Sequence, residues 1–252
     1  DNNALSFTND STDSPFSISG WIYVADRDTH SYIFIKGGHA TYNKYEYDFF
    51  VKSDGNLQFA CYDGATADSG SNSAVYAGRI TNNTPISMGK WYHVVATYDG
   101  GDDPHDDAKL YINGEEASHV SQTSGSYEFM KNQSITAMIG RRGLSGAYGD
   151  VSCVTEVSVW NSELTQTEIN ELYNDGKALD ATTHSRAISA STNLKGYWRN
   201  NGLATWTDLS EDYSNNGTVT TVTETMLITA GADGSRDSQG FLMNRQRATN
   251  SL

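Results

Sequence analysis

Several residue types that mark whole classes of protein are scarce in this chain of 252 residues. It has only 2 Cys and 3 Pro, too few for a disulfide scaffold or a collagen-like rod. Its 17 Lys and Arg against 31 Asp and Glu give a net charge of −14, so we expect no general attraction to nucleic acid or anionic lipid. No apolar run approaches the roughly 18 residues of a membrane helix, so membrane insertion is not expected.

Small hydrogen-bonding residues are abundant instead. Ser, Thr and Asn number 28, 25 and 20, and these types favour strands, turns and loops over helix interiors. Asp54-Gly55 and Asn113-Gly114 lie between apolar runs and predict tight hairpin turns. The chain is therefore predicted to be mostly β. The predicted strands are Phe16–Val24, Tyr45–Lys52, Leu57–Tyr62, Trp91–Tyr98, Lys109–Ile112, Ile135–Ile139 and Val151–Trp160.

One segment has helical spacing rather than strand alternation. In LTQTEINELYNDG, from Leu164 to Gly176, the apolar residues recur every three or four positions. Thr165 is the expected N-cap, with Glu168 completing a capping box and Gly176 as the C-cap. A single short helix does not make an α/β protein, and we expect it to cover an edge or end of a sheet.

Four segments in this order resemble the laminin-G-like, concanavalin-A-like family. They are KWYHVVATYDG from Lys90, KLYING from Lys109, Ile139-Gly140, and VSVWNSELTQTEINELY from Val157. The resemblance implies an all-β fold, a jelly-roll sandwich of two antiparallel sheets with one short helix. The number of predicted strands favours the same architecture.

The domain organisation follows from where the resemblance ends. Residues 1–176 are expected to form the jelly roll and residues 177–193 a connector. Residues 194–228 resemble the family's opening strands in a rotated order, so they either complete the same sandwich or begin a next repeat. Residues 229–252 are polar and read as an extended arm or linker. Because the chain begins at Asp1, we expect a processed or trimmed form, or part of a longer protein.

The two cysteines lie far apart in predicted strands. Cys61 and Cys153 both have apolar neighbours. Two cysteines in a chain of this length do not form a disulfide framework. Separate buried thiols and a single disulfide both stay open.

Calcium is the metal that the sequence favours, since oxygen-bearing side chains cluster in loops. TDLSEDYSNNG, from Thr207 to Gly217, resembles the family's calcium loop. The resemblance implies that Asp208, Asn215 and Asn216 bind calcium together with Glu156 on a long strand. An Asx-rich turn is the alternative. Two further acidic stretches, Asn9–Asp13 and Asp99–Asp107, are weaker candidates and fit exposed loops as well.

Aromatic residues beside Gly/Ser-rich loops are the candidates for ligand contact. A glycan site uses an aromatic platform together with a few polar groups. Arginine forks suit carboxylated sugars, although in an acidic protein they also pair with local carboxylates. The candidates are Tyr42, Tyr45, Tyr62, Asp63, Tyr148, Arg141 and Arg142.

No catalytic signature is present. Retaining glycosidases need two carboxylates about 5 Å apart, and Glu46 and Asp48 in YEYD are expected on one strand face without a third carboxylate. No nucleophile or zinc motif occurs, and His93 is expected to be structural. We therefore expect a non-enzymatic module that binds a glycan or a surface protein.

A looser resemblance suggests where such a module works. The style of DGKALDATTHS, from Asp175, and of DSQGF, from Asp237, is similar to structural proteins of marine bacterial viruses. It implies a location on a virion or an extracellular surface, with a tandem or oligomeric assembly as a further expectation. The rival interpretations are a structural assembly protein without a glycan ligand and, less favoured, a polysaccharide-degrading enzyme.

Overall fold

The strands of this protein form two facing sheets. The computed structural model describes residues 3–25, 29–38, 44–64, 75–83, 86–101, 103–133, 135–141, 153–200, 205–210, 215–218, 224–229 and 242–247. Within these ranges, two antiparallel sheets of six strands each make up an all-β jelly-roll sandwich.

Strands are numbered along the chain, and each sheet is given in spatial order. The first sheet consists of β12 (Leu194–Trp198), β11 (Cys153–Trp160), β1 (Phe16–Tyr23), β6 (Trp91–Tyr98), β7 (Lys109–Ile112) and β8 (Glu115–Glu116). The second sheet consists of β10 (Ala137–Ile139), β2 (Ser31–Gly38), β3 (Lys44–Val51), β4 (Leu57–Asp63), β5 (Val75–Thr81) and β9 (His119–Ser124). Asp54-Gly55 joins β3 to β4 and Asn113-Gly114 joins β7 to β8, so both predicted hairpins are confirmed.

The main core lies between the two sheets. Alternate residues of each strand point inward, as in Tyr47, Phe49 and Val51 of β3. Aromatic rings fill the centre: Phe7 stacks on Phe16 with centroids 4.4 Å apart. Each such ring contributes roughly 1.5–3 kcal/mol by leaving water, so the sandwich is held mainly by this layer.

A second apolar layer covers the outer face of the first sheet. Helix α2 (Gln166–Tyr173) packs Ile169 and Leu172 there, and α3 (Ser185–Ser189) adds Ala187. Short 3₁₀ turns at 174–176, 181–183 and 191–193 link these elements. Residues 177–193, which were expected to be a connector, therefore contribute to this apolar layer. A further short helix, α1 (Pro104–Asp107), lies between β6 and β7.

The ends of α2 match the sequence signals in part. The Glu168 N–H donates to Thr165 Oγ1, and the Thr165 N–H donates to Glu168 Oε2 at 2.8 Å, so the capping box is confirmed. The C-cap is Asn174, with φ +47°, rather than Gly176. Asn tolerates the left-handed conformation through its short polar side chain, which let the helix end two residues early.

Residues 194–198 return to the sandwich. Strand β12 pairs with β11 as the edge strand of the first sheet, aligning Trp198 with Val157. Two small sheets follow, β13 (Thr205–Trp206) with β14 (Gly217–Thr218), and β15 (Glu224–Thr229) with β16 (Leu242–Arg247). Part of the segment expected to be an extended arm is thus paired as a strand.

Both cysteines are free and buried. Burial raises the pKa of the Cys153 thiol to about 12, because the low-dielectric interior disfavours a thiolate. Among the residues that the structure describes, no helix has the length and apolar character needed to cross a membrane.

Candidate functional site

Three tyrosines from adjacent strands lie side by side on the outer face of the second sheet. Tyr45 of β3 and Tyr62 of β4 have ring centroids 5.1 Å apart, and Tyr62 and Tyr76 of β5 are 5.7 Å apart. Tyr45 is 6% exposed, while Tyr62 and Tyr76 are half-buried. We call these three residues the tyrosine row. It lies at the end of the sheet where the β2–β3 and β4–β5 connections leave.

A carboxylate anchors the middle of the tyrosine row. The Tyr62 hydroxyl donates to Asp48 Oδ2 at 2.8 Å. Asp48 is only 2% exposed, and it alternates with the core-facing Tyr47 and Phe49. The hydrogen bond fixes the orientation of the Tyr62 ring on the outer face of the sheet.

Glu46 lies on the other side of the sheet, contrary to the expected pairing with Asp48 on one face. Its Oε1 accepts from the Gln133 N–H at 2.8 Å and lies 3.5 Å from Lys36 Nζ. Ser6 Oγ also contacts Oε1, at 3.3 Å. Both ionic side chains are at most 1% exposed. Burial is the largest influence on both groups: it raises the pKa of Glu46 to about 7 and lowers the pKa of Lys36.

A register shift explains this reversal. Lys36 aligns with Tyr47 and Gly37 aligns with Tyr45, so Glu46 is an extra residue in β3. A β-bulge of this kind places two consecutive residues opposite one partner residue. Glu46 and Tyr47 therefore both face inward, and Tyr45 emerges on the outer face.

Gly37 makes room for the ring of Tyr45. It has φ +152°, and a Cβ there would lie 2.6 Å from Tyr45 Cδ1 and 2.8 Å from Lys44 O. Such distances are well below van der Waals contact. A glycine is therefore required beneath this tyrosine.

The other predicted ligand residues do not join the tyrosine row. Asp63 follows Tyr62 directly, so strand alternation places it on the opposite face of β4, where it is 6% exposed. Arg141 follows Gly140, whose N–H donates to Ile33 O. That position is about 13 Å along β2 from Gly37 and Tyr45, at the usual rise per residue. Tyr42, Tyr148 and Arg142 lie outside the described residues.

The proposed calcium loop is organised around Asp208. Its Oδ1 accepts from Tyr197 N and from Ser210 N and Oγ, and its Oδ2 accepts from Asn215 N and Nδ2. The Asp208 N–H donates to Asn216 Oδ1 at 2.9 Å. The loop residues Asp208, Asn215 and Asn216 are thus brought together, and they tie the loop to β12.

Glu156 lies at the other end of Tyr197. The Tyr197 hydroxyl donates to Glu156 Oε2, and Arg199 Nε donates to Oε1 at 2.8 Å. Glu156 has φ +52° and is 6% exposed, and burial raises its pKa. Because Asp208 contacts the Tyr197 backbone and Glu156 its hydroxyl, the two carboxylates do not meet at a common point.

The weaker acidic stretches are also engaged in internal contacts. Asp13 accepts from the hydroxyls of Tyr98 and Tyr127 and from Met130 N. Asp103 caps α1 by accepting from His105 N. Among the described parts of the chain, no group of three His, Cys, Asp or Glu side chains is arranged to hold a metal ion.

Tyr76 and Asp48 are the site residues that the sequence analysis did not propose as ligand contacts. Tyr76 lies in β5, whose sequence VYAGRIT does not alternate between apolar and polar residues and was not among the predicted strands. Tyr62 near the end of β4 and Tyr76 near the start of β5 flank the same connection. This shared position beside a loop is the sequence feature that could have identified Tyr76 as a ligand contact.

Two facing antiparallel sheets of six strands each place the protein in the class of jelly-roll β-sandwiches. A sequence model of the Laminin_G_3 family, of the concanavalin A-like lectin/glucanases superfamily, matches residues 1–170. The chain belongs to this family.

Solved structures show similar folds at low sequence identity. A candidate carbohydrate binding protein from Bacteroides ovatus is 20% identical with a TM-score of 0.50, over 86% of this chain. This chain spans 57% of that protein. A pentraxin from Limulus polyphemus is 22% identical, with a TM-score of 0.40, over 64% of this chain and 70% of its own.

Another similar structure is domain 4 of an arabinanase from Geobacillus stearothermophilus, in complex with arabinotriose. It is 17% identical with a TM-score of 0.43, over 68% of this chain and 69% of its own. No curated protein sequence matches the chain.

Proposed function

We propose that the protein is a non-catalytic module that binds a glycan at the tyrosine row. The observation that carries the proposal is the row itself: the rings of Tyr45 and Tyr76 each lie within 6 Å of the Tyr62 ring, and Tyr62 is oriented by Asp48. Sugar rings pack their C–H faces on aromatic rings, while a few fixed polar groups recognise their hydroxyls. Family membership and the fold shared with a candidate carbohydrate binding protein support the proposal.

A glycan array tests the proposal with a matched control. The wild type is expected to bind one or more glycans, and Tyr62→Ala to weaken that binding about tenfold or more. Tyr23→Ala is the control, because Tyr23 is also half-buried and lies 5.6 Å from an aromatic partner, Trp91, but on the first sheet. Equal losses in both variants, or no bound glycan, would contradict the proposal.

The absence of catalysis is part of the proposal. Glu46 and Asp48 are the two carboxylates of β3, the strand of Tyr45, and their partners lie on different faces of β3. A pair divided in this way does not flank a glycosidic bond. Release of reducing sugar or unsaturated product from polysaccharides would overturn this part.

We also propose that the module adheres to its partner from a virion or an extracellular surface. The support is the net charge of −14, which keeps a displayed protein soluble, and the looser resemblance to virion components. Antibody labelling of intact particles or cells is expected to reach the protein. Labelling only after lysis would contradict this location.

Calcium at the Asp208 loop remains a proposal. Asp208 and Asn215 supply oxygen atoms of the type that calcium prefers. A cation there would replace the hydrogen bonds that Asp208 Oδ2 now accepts from Asn215 N and Nδ2. Bound calcium would raise the melting temperature by mass action. A calcium-dependent rise that chelator reverses and Asp208→Asn abolishes supports the proposal, and no response to calcium contradicts it.

Assembly through the C-terminal region is the second candidate function. β15 and β16 pair only with each other in the described residues, and a lone two-stranded hairpin is marginally stable in water. It therefore gains from packing against another chain. Deleting residues 224–252 is expected to reduce the oligomeric mass measured by light scattering, and an unchanged mass would contradict this function.

A further inference from the structure

The second sheet contains a buried ion pair whose place in the fold is unusual. Lys36 of β2 and Glu46 of β3 are 1% and 0% exposed, with Nζ and Oε1 3.5 Å apart. Removing two charges from water often costs more than their attraction returns. Such a pair is weak evidence for stability, and its best-attested use is to specify register. The register concerned here is that of β2 against β3 around Glu46.

The ion pair includes Glu46, the bulged residue of β3 that determines which face of the sheet Tyr45 occupies. Regular alternation from the core residues Val51, Phe49 and Tyr47 would place residue 45 in the core as well. The bulge at Glu46 changes this, since Glu46 and Tyr47 both oppose Lys36. Tyr45 consequently belongs to the outer cluster with Tyr62.

The contacts of Glu46 all favour the bulged form. Lys36 attracts the carboxylate from β2, the Gln133 N–H donates to it from the segment before β10, and Ser6 Oγ contacts it from the N-terminal segment. In a straight strand, Glu46 would face outward and the buried ion pair with Lys36 would be broken. Breaking a buried ion pair by moving one partner away is strongly destabilising, so the straight register is disfavoured.

We propose that Glu46, by facing inward beside Lys36 at the bulge, is a positioning residue that turns Tyr45 into the tyrosine row. Its functional part rests on the proposed glycan site, while the orientation of Tyr45 stands independently. Tyr45 contacts the ligand in this account, and Glu46 acts only through it.

Two double variants separate positioning from simple stabilisation. Lys36→Met/Glu46→Leu replaces the pair with apolar side chains that both suit the interior, so residue 46 stays inward and the bulge persists. Lys36→Met/Glu46→Lys puts a lone charge at residue 46. That charge leaves the interior by turning outward, which straightens β3 and turns Tyr45 toward the core.

A third variant removes the extra residue. Deleting Glu46 in the Lys36→Met background straightens β3 while Tyr47 still faces inward and Tyr45 outward. It therefore loses the bulge but keeps the tyrosine row. If Lys36→Met/Glu46→Lys does not fold, the deletion variant still tests the proposal.

The readout is the nuclear Overhauser contact between the rings of Tyr45 and Tyr62 in the unliganded full chain. We expect the contact in the wild type, in Lys36→Met/Glu46→Leu and in the deletion, and its loss in Lys36→Met/Glu46→Lys. The proposal is overturned if the ring contact persists in Lys36→Met/Glu46→Lys, or if it is lost in a deletion variant that folds.

The same variants on the glycan array distinguish the two proposals. Binding is expected to follow the ring contact, with a loss of about tenfold or more only where the contact is lost. If the ring contacts change as expected and no variant or wild type binds glycan, the glycan proposal fails and the positioning of Tyr45 stands. Binding that is unchanged when the contact is lost overturns the functional part of this inference.

Discussion

The hydroxyl of Tyr62 donates a hydrogen bond of 2.8 Å to Oδ2 of the buried Asp48. Tyr62→Phe removes that donor and keeps the ring, so Asp48 loses a partner without a change in packing. We expect unfolding free energy to fall by about 1–3 kcal/mol, measured by urea denaturation. Tyr76→Phe is the control, because its hydroxyl has no hydrogen bond among the described residues, and its stability should change by less than about 0.5 kcal/mol. Equal effects of the two substitutions would contradict this account.

Glu46 predicts a pH dependence of stability. Its pKa is about 7 in the folded protein against 4.5 for the free group, chiefly because burial disfavours the charge. Between pH 4.5 and 7 the folded state therefore holds more protons than the unfolded chain, and stability falls as pH rises. The wild-type stability relative to Glu46→Gln should decline through this window, by at most about 3 kcal/mol. A difference that stays flat or rises with pH would contradict the prediction.

His93 predicts the opposite slope at lower pH. It is 2% exposed beside Trp21 and Ser19, and burial lowers its pKa from 6.5 to about 3. Below pH 6.5 the unfolded chain binds a proton that the folded protein does not, so stability is lost as pH falls. The loss should approach about 1.4 kcal/mol per pH unit. Thermal unfolding of wild type and His93→Gln between pH 4 and 7 measures it, and parallel curves would refute the assignment.

Asp208 predicts a stability effect in the region after β12. Its carboxylate accepts hydrogen bonds from Tyr197, Ser210 and Asn215, so Asp208→Ala leaves several buried donors unpaired. We expect a loss of about 3 kcal/mol or more in unfolding free energy. Leu209→Ala, at a neighbouring residue that is 40% exposed, should cost much less. If both substitutions cost the same in urea denaturation, the loop is not anchored through Asp208.

The fold was predictable where local patterns agree with the tertiary structure. FSISGWIYV and WYHVVATY alternate and carry β-branched and aromatic residues, and both are strands. β2 escaped identification because SYIFIKGG contains a continuous apolar run interrupted by a bulge. β9 is a polar edge strand, and its pairing with β5 depends on residues about 40 positions away.

Only part of the candidate site could be predicted, because the face that a strand residue occupies depends on its pairing with distant strands. Tyr45 and Tyr62 were identified by their position beside loops. Which face each residue occupies is set by pairing rather than by local sequence. The bulge at Glu46 depends on Lys36 and Gln133, so the separation of Glu46 from Asp48 required the structure.

Chemical-shift mapping of a bound oligosaccharide tests the central claim most directly. The oligosaccharide is the strongest hit of the glycan array, added to isotope-labelled protein. The account predicts that the largest chemical-shift changes occur at Tyr45, Tyr62 and Tyr76. It also predicts that the strongest nuclear Overhauser contacts to sugar protons come from these three rings. Shifts centred on Tyr23 and Trp91 of the first sheet, with the tyrosine row unchanged, would contradict it.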